Sequence, residues 1–230
     1  MKYRHEWKHE INYSDLLALR MRLSAVMKPD AHTTDGKYKI RSVYFDTPHD
    51  KALREKRDGV NAREKFRIRL YNDDTSLIKL EKKSKINGLC LKESCRLSKE
   101  EAQKLIDGDL AWMSECRENE TGNRRKLCAE LYLKMTTQGL RPKTIVDYIR
   151  EPFTFPVGNV RVTLDYNIRT GGFRTDFLNT ETVTMKAGDA PIILEVKWDE
   201  FLPAVIRDIV QLSGRHTGAF SKYAQCRIYG

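Results

Sequence analysis

The chain has 230 residues, 40% of them hydrophobic and 32% charged. This can support a core but excludes a bundle of membrane-spanning helices, because no apolar run approaches the roughly 18 residues that cross a bilayer. Lys and Arg number 42 against 32 Asp and Glu, a net charge of +10, which favours an anionic partner: nucleic acid, a phosphate-rich small molecule or a membrane surface.

The opening MKYRHEWKHE lacks an apolar core segment, so no secretory leader is expected. From Arg4 to Ile11 the residues alternate, with Glu6, Lys8 and Glu10 on one face and His5, Trp7, His9 and Ile11 on the other. Such period-two patterning predicts a strand. Over Asp15–Met27, Leu16, Leu19, Leu23 and Val26 recur at helical spacing, with Ser14 as the expected N-cap and Pro29 beyond the end. Tyr38–Asp46 is a second strand, with Val43 and Phe45 opposite Ser42, Tyr44 and Asp46.

Three further strands follow. Arg67, Arg69 and Tyr71 oppose Phe66, Ile68 and Leu70; Lys79, Glu81, Lys83 and Lys85 oppose Ile78 and Leu80; Leu89 and Leu91 oppose Lys92 and Ser94. Asn72-Asp73-Asp74 and Asn87-Gly88 mark hairpin turns between them. Ser98 begins a short helix with Glu100 and Glu101 in its first turn. Residues 108–139 read as a helical insertion, with Leu127, Leu131 and Met135 on one face. Strands resume at Thr144–Arg150, at Val160–Asp165 and, after a Gly171-Gly172 turn, at Ile192–Lys197; a helix over about Pro203–Leu212 precedes GAFSKYAQCRIYG. The five cysteines (Cys90, Cys95, Cys116, Cys128 and Cys226) form no CxxC pair. A disulfide framework or structural zinc site is not expected, and a reducing cytoplasm fits best.

About eight strands thus carry apolar residues on one face and charge on the other. An open sheet would simply wet the charged face. Closure into a barrel accounts for the pattern better: eight strands enclose room for side chains or one small ligand, with helices covering the outer apolar faces. The inward set is then Lys8, Arg67, Arg69, Lys79, Lys83, Lys85, Lys92, Arg150, Arg161 and Lys197 against Glu6, Glu10, Glu81, Asp165 and Glu195. Desolvating so many cations costs several kcal/mol each unless an anion compensates. A threaded polyanion would do so, and the carboxylates suit a hard cation such as Mg²⁺.

Glu6-Trp7-Lys8-His9-Glu10, then SVYFDT at 42–47, FRIRLY at 66–71, LEKKSK at 80–85, VRVTLD at 160–165, LEVK at 194–197 and FSKY at 220–223 run in order along almost the whole chain. In this series the chain resembles the VTC domain, the polyphosphate polymerase domain found among the triphosphate tunnel metalloenzymes. The resemblance implies an α+β fold over residues 1–230: a closed tunnel of eight antiparallel strands with helices outside. It implies ATP or another triphosphate as substrate, Mn²⁺ or Mg²⁺ as cofactor, and transfer of the terminal phosphate to growing polyphosphate. Carried over by motif, Lys8, Arg67, Arg69, Lys83, Arg150 and Arg161 form the catalytic phosphate-binding lining. Lys92, Lys197 and Lys222 bind substrate, and Glu195 holds the metal. The wider superfamily opens with Glu-x-Glu-x-Lys where this chain has Glu6-x-Lys8-x-Glu10, so Glu6 and Glu10 are not carried over as metal ligands.

Blander uses exist for many of these residues. Tyr71 and Tyr148 can be packing residues, Asp165 can orient Arg161, and Lys79, Lys82 and Lys85 can be solvated. Three functions stay open: polyphosphate synthesis, metal-dependent triphosphate hydrolysis, and a module that holds a polyanion without turnover. Nucleic acid is not expected, since a binder of it would cluster charge on an outer surface without interleaved carboxylates.

Overall fold

A computed structural model describes residues 4–33, 35–113 and 122–229. Its centre is one antiparallel sheet. The strands are β1 (His5–Ile11), β2 (Lys28–Pro29), β3 (Tyr38–Asp46), β4 (Arg63–Tyr71), β5 (Asp74–Ile86), β6 (Leu89–Leu97), β7 (Arg141–Phe155), β8 (Val160–Thr170), β9 (Met185–Lys186) and β10 (Ile192–Trp198). Eight of them pair in the order β1-β10-β8-β7-β3-β4-β5-β6, with the short β2 on β7 and β9 on β8. The sheet curls until its edge strands meet. Arg4 N–H donates to the Cys90 carbonyl at 3.3 Å, and Cys90 N–H returns to that of Arg4 at 3.4 Å. The expected eight-stranded antiparallel sheet with helices outside is present, curled so that a bridge joins its edge strands.

Turn chemistry fixes the central hairpins. Asn72 and Asp73 join β4 to β5, and Asn87 and Gly88 join β5 to β6; all four residues have positive φ. Two successive left-handed residues match the twist of a hairpin, which is why Asn, Asp and Gly stand there. With those ends set, β4 and β5 register so that Arg67 faces Glu81 and Lys65 faces Lys83.

The described helices are α1 (Tyr13–Val26), α2 (Lys51–Arg57), α3 (Lys99–Asp107), α4 (Gly122–Thr137), α5 (Ala204–Val210) and α6 (Lys222–Ile228). A further helical turn falls at 111–113. The first helix begins two residues before the expected Asp15. Asn12, not Ser14, is its N-cap: the Asn12 side chain accepts from Asp15 N–H at 2.8 Å while Asp15 accepts from Asn12 N–H. The reciprocal pair satisfies two otherwise orphaned donors. Ser98 caps α3 as expected, in the same reciprocal way with Glu101. Strands β7 and β8 run well past the expected Arg150 and Asp165, because Pro152 and Tyr166 continue the ladder between them. Part of the expected insertion at 108–139 lies outside the described residues; its helix α4 packs Leu127, Leu131 and Met135 against Phe66, Ile68, Leu80 and Leu97.

Apolar faces point outward, under the helices. Leu16, Leu19 and Leu23 of α1 join Ile206 and Val210 of α5 over Val162, Leu164, Leu194 and Val196. Each such side chain stabilises the fold by about 2 kcal/mol through burial. A third cluster joins Ile40, Tyr44, Val146, Tyr148 and Ile193 to Tyr223 and Cys226 of α6. No helix among the described residues is long and apolar enough to cross a membrane.

Candidate functional site

The inner face of the curled sheet lines a cavity of about 370 Å³. Eleven cationic side chains border it: Arg4, Lys8, Lys65, Arg67, Arg69, Lys83, Lys92, Arg150, Arg161, Lys197 and Lys222. Every substrate-binding residue expected from the sequence is among them. Glu6 and Glu195 face the same space, as do Tyr38, Tyr44, Tyr71 and Tyr148.

Carboxylates hold the cations apart in an ordered lattice. Glu6 meets Lys8 at 2.9 Å, Lys83 at 2.7 Å and Lys197 at 3.6 Å. Glu195 meets Lys197 at 2.6 Å and Arg150 at 3.2 Å. Asp165 takes Arg150 and Lys222, both at 2.6 Å. Glu81 takes Arg67 at 2.6 Å and also pairs with Lys92. Burial alone would raise the Glu6 carboxyl, as would neighbouring Glu195, but Lys83, Lys8 and Lys197 outweigh both and hold it at about 2. Glu81 and Glu195 stand well below the usual carboxylate range, where Arg67 and Arg69, or Lys197, Lys8 and Arg150, overcome the cost of burial.

Phenols orient the arginines. Arg67 donates to the Tyr44 hydroxyl at 2.7 Å, Arg69 to that of Tyr148 at 2.8 Å, and Arg161 to that of Tyr38 at 2.8 Å. Tyr71 and Tyr148 are thus part of the site's wall and not only packing residues. Burial would raise the Tyr44 phenol, but Arg67, Lys65 and Arg69 bring it down to about 7.

Several inward assignments change. Glu10 is exposed to solvent, at the far end of β1. Lys79 does not border the cavity; it lies 5.8 Å from the Tyr71 ring. Lys85 lines a separate opening with Lys56, Arg57 and Arg63. Asp165 orients Arg150, while Arg161 pairs instead with Asp30 at 2.8 Å. Lys82 is neither inward nor free: it pairs outside the sheet with Glu64 at 3.1 Å and with Glu130 of α4 at 2.5 Å. Lys222 reaches the cavity from the first turn of α6, 4.7 Å from the Tyr148 ring. The sequence reading missed Lys65, although alternation back from Arg67 places it inward. It also missed Arg4, which alternation back from Glu6 places inward, and the hydrogen-bonding roles of Tyr38 and Tyr44, for which short-range patterning carries no signal.

Among the described residues no cluster of three or more His, Cys, Asp or Glu is placed to hold a metal. Glu195 and Glu6, on adjacent strands, are the two carboxylates that face the bore. That donor set fits a hard divalent ion, which takes one or two carboxylates and completes its shell with phosphate oxygens and water.

A curled antiparallel sheet whose inner face interleaves Lys and Arg with carboxylates defines a protein with a basic bore. The chain belongs to the VTC domain family, whose model matches residues 3–228. The same fold appears in the PH1012 protein of Pyrococcus horikoshii OT3, at 12% identity, TM-score 0.52, covering 97% of this chain and 99% of that one. A conserved hypothetical protein of Pyrococcus furiosus is similar at 10% identity, TM-score 0.51, with the same coverage. No curated protein matches the sequence.

Proposed function

We propose that this chain is a polyphosphate polymerase, which transfers the terminal phosphoryl group of ATP to a growing polyphosphate chain inside the bore, assisted by Mn²⁺ or Mg²⁺. The observation that carries this reading is the make-up of the bore: eleven cationic side chains line it, and the carboxylates among them are each ion-paired with lysines or arginines. Such carboxylates are poor proton acceptors near pH 7. A polyphosphate terminus needs no proton removed, because it is already ionised. Hydrolysis, by contrast, gains from a base that orients and deprotonates water.

Phosphoryl transfer is carried mainly by positioning and charge stabilisation. Arg67, Arg69 and Arg150 offer planar donor pairs to phosphate oxygens. Lys8, Lys83, Lys92, Lys197 and Lys222 add point charges along the bore. Arg161 extends the lining towards Tyr38. In the reaction the bond from the γ-phosphorus to the β,γ-bridging oxygen breaks, the chain's terminal oxygen bonds to that phosphorus, and ADP leaves. Glu195, with Glu6 beside it, would hold the divalent ion, which supplies charge neutralisation on the phosphate oxygens.

A triphosphatase is the second reading, favoured by the two carboxylates that face the bore. Incubation with ATP and Mn²⁺ tests both. Long polyphosphate with stoichiometric ADP is expected. ADP with orthophosphate alone would assign hydrolysis, and no ADP would assign a binding module.

A further inference from the structure

Lys65 is the one cation of the lining that has no carboxylate in ion-pair reach among the described residues. It projects from β4 and lines both the central cavity and an adjoining opening that Lys56, Arg63 and Lys85 also line, and so stands at the neck between them. The groups that face it are Tyr44 from β3, Lys83 from β5, Lys8 from β1 and Arg67 from its own strand. Lys56 of α2, Tyr223 of α6 and the Glu6 carboxylate of β1, itself taken by Lys8 and Lys83, border the same space. Tyr44 presents its ring 5.5 Å from the Lys65 ammonium, and its hydroxyl is taken by Arg67. A buried ammonium facing other cations is expensive to keep unless an anion arrives.

We propose that Lys65 is an anion-binding residue of the bore, holding a phosphoryl group of the chain at the neck between the central cavity and the second opening. This rests on the reading of the bore as a polyphosphate site and adds a position that the motif comparison does not contain. A consequence follows for protons. Burial first, then Lys83, Lys8 and Arg67, bring the Lys65 ammonium down to about 7 against the opposing pull of Tyr44. An anion bound beside it restores the charged form. Occupation of the neck therefore draws in a proton from solvent above neutral pH, through an N–H bond formed at Nζ.

The test is calorimetric titration of the full chain with inorganic tripolyphosphate in EDTA at pH 8, repeated in two buffers of different ionisation enthalpy. Wild type, Lys65→Met and Lys65→Arg are compared. Wild type is expected to bind with net proton uptake. Lys65→Met is expected to bind about tenfold more weakly, the scale of one charge-assisted hydrogen bond. Lys65→Arg is expected to keep most of the affinity yet take up fewer protons, because a guanidinium is always charged. Equal affinity and equal proton uptake in all three proteins would overturn the role of Lys65 and leave the polymerase reading standing. Absence of tripolyphosphate binding by wild type would overturn both.

Discussion

Arg67 and Glu81 sit directly opposite on β4 and β5, joined at 2.6 Å, and Glu81 is only 1% exposed. Arg67 lines the bore, and the pair is a clamp between two strands. Its acid dependence can be signed. The Glu81 carboxyl is held well below its ordinary 4.5, so the folded chain binds fewer protons there than the unfolded chain as pH falls. The stabilisation is fully present above about pH 5 and is lost as pH drops through the folded-state value. We expect the thermal midpoint to fall steeply below pH 4.5. Glu81→Gln should flatten that slope and cost about 3 kcal/mol at pH 7 in chemical denaturation, because Arg67 is left buried without its counter-charge. An unchanged slope in Glu81→Gln would show that the pair does not bear on acid stability.

Arg69 is 3% exposed and donates to Ser42 on the adjacent β3 and to Tyr148 on β7 beyond it. Arg69→Ala should lower kcat/KM with ATP at least about 100-fold, the usual effect of deleting one fixed donor to developing charge. Glu195→Gln should do the same while near-ultraviolet circular dichroism stays native. Full turnover by Arg69→Ala would remove β4 from the catalytic surface.

Lys65 and Tyr44 both titrate near 7 in the folded chain, whereas their ordinary values are 10.5 and 10.0. Between those limits the unfolded chain carries protons that the folded chain has released, so stability rises with pH above 7. In phosphate-free buffer the thermal midpoint should climb from pH 7 to pH 9. Lys65→Met should raise the midpoint at pH 7 and weaken the climb. A midpoint that falls over this range in wild type contradicts the assignment.

Asp46 is wholly buried at the end of β3 and accepts from the backbone N–H groups of Thr47, Ala52 and Leu53 and from the Tyr223 hydroxyl at 2.7 Å. It ties α2 and α6 to the sheet. Tyr223→Phe should cost about 1.5 kcal/mol, the scale of a hydrogen bond to a charged group. Since Lys222 is the preceding residue, the same change should raise KM for ATP several-fold with kcat nearly intact. Equal loss of kcat and KM effects in Lys222→Ala and Tyr223→Phe would place Tyr223 in the reaction itself.

The strands of the site were legible wherever alternation was unbroken. Arg67, Arg69, Lys83 and Lys92 follow from period two plus hairpins whose turns require left-handed residues, and the register then brings Arg67 to Glu81. Arg150 and Arg161 were placed inward by the same rule, but their partners were not readable. Which carboxylate meets which arginine depends on how strands distant in sequence come together, as β7 and β8 do for Arg150 and Asp165. Lys85 and Glu10 obey the alternation and still leave the cavity, because strands tilted around a cylinder carry their ends beyond its mouth; Lys79 leaves it by lying against the Tyr71 ring. Tyr38 and Tyr44 went unnoticed because a tyrosine on the polar face of a strand looks like any other.

Seven of the eight junctions between neighbouring strands in the curled sheet are extended ladders, three of them with a bulge, whereas among the described residues β1 and β6 share only the bridge between Arg4 and Cys90. A hoop is as stiff as its weakest joint. Breathing of the bore is therefore expected at this clasp, where girth changes at the expense of two backbone hydrogen bonds and the Glu6–Lys83 ion pair that spans the same seam, and every ladder stays whole. The amides of Arg4 and Cys90 should exchange with deuterium ahead of those in the interior of the ladders.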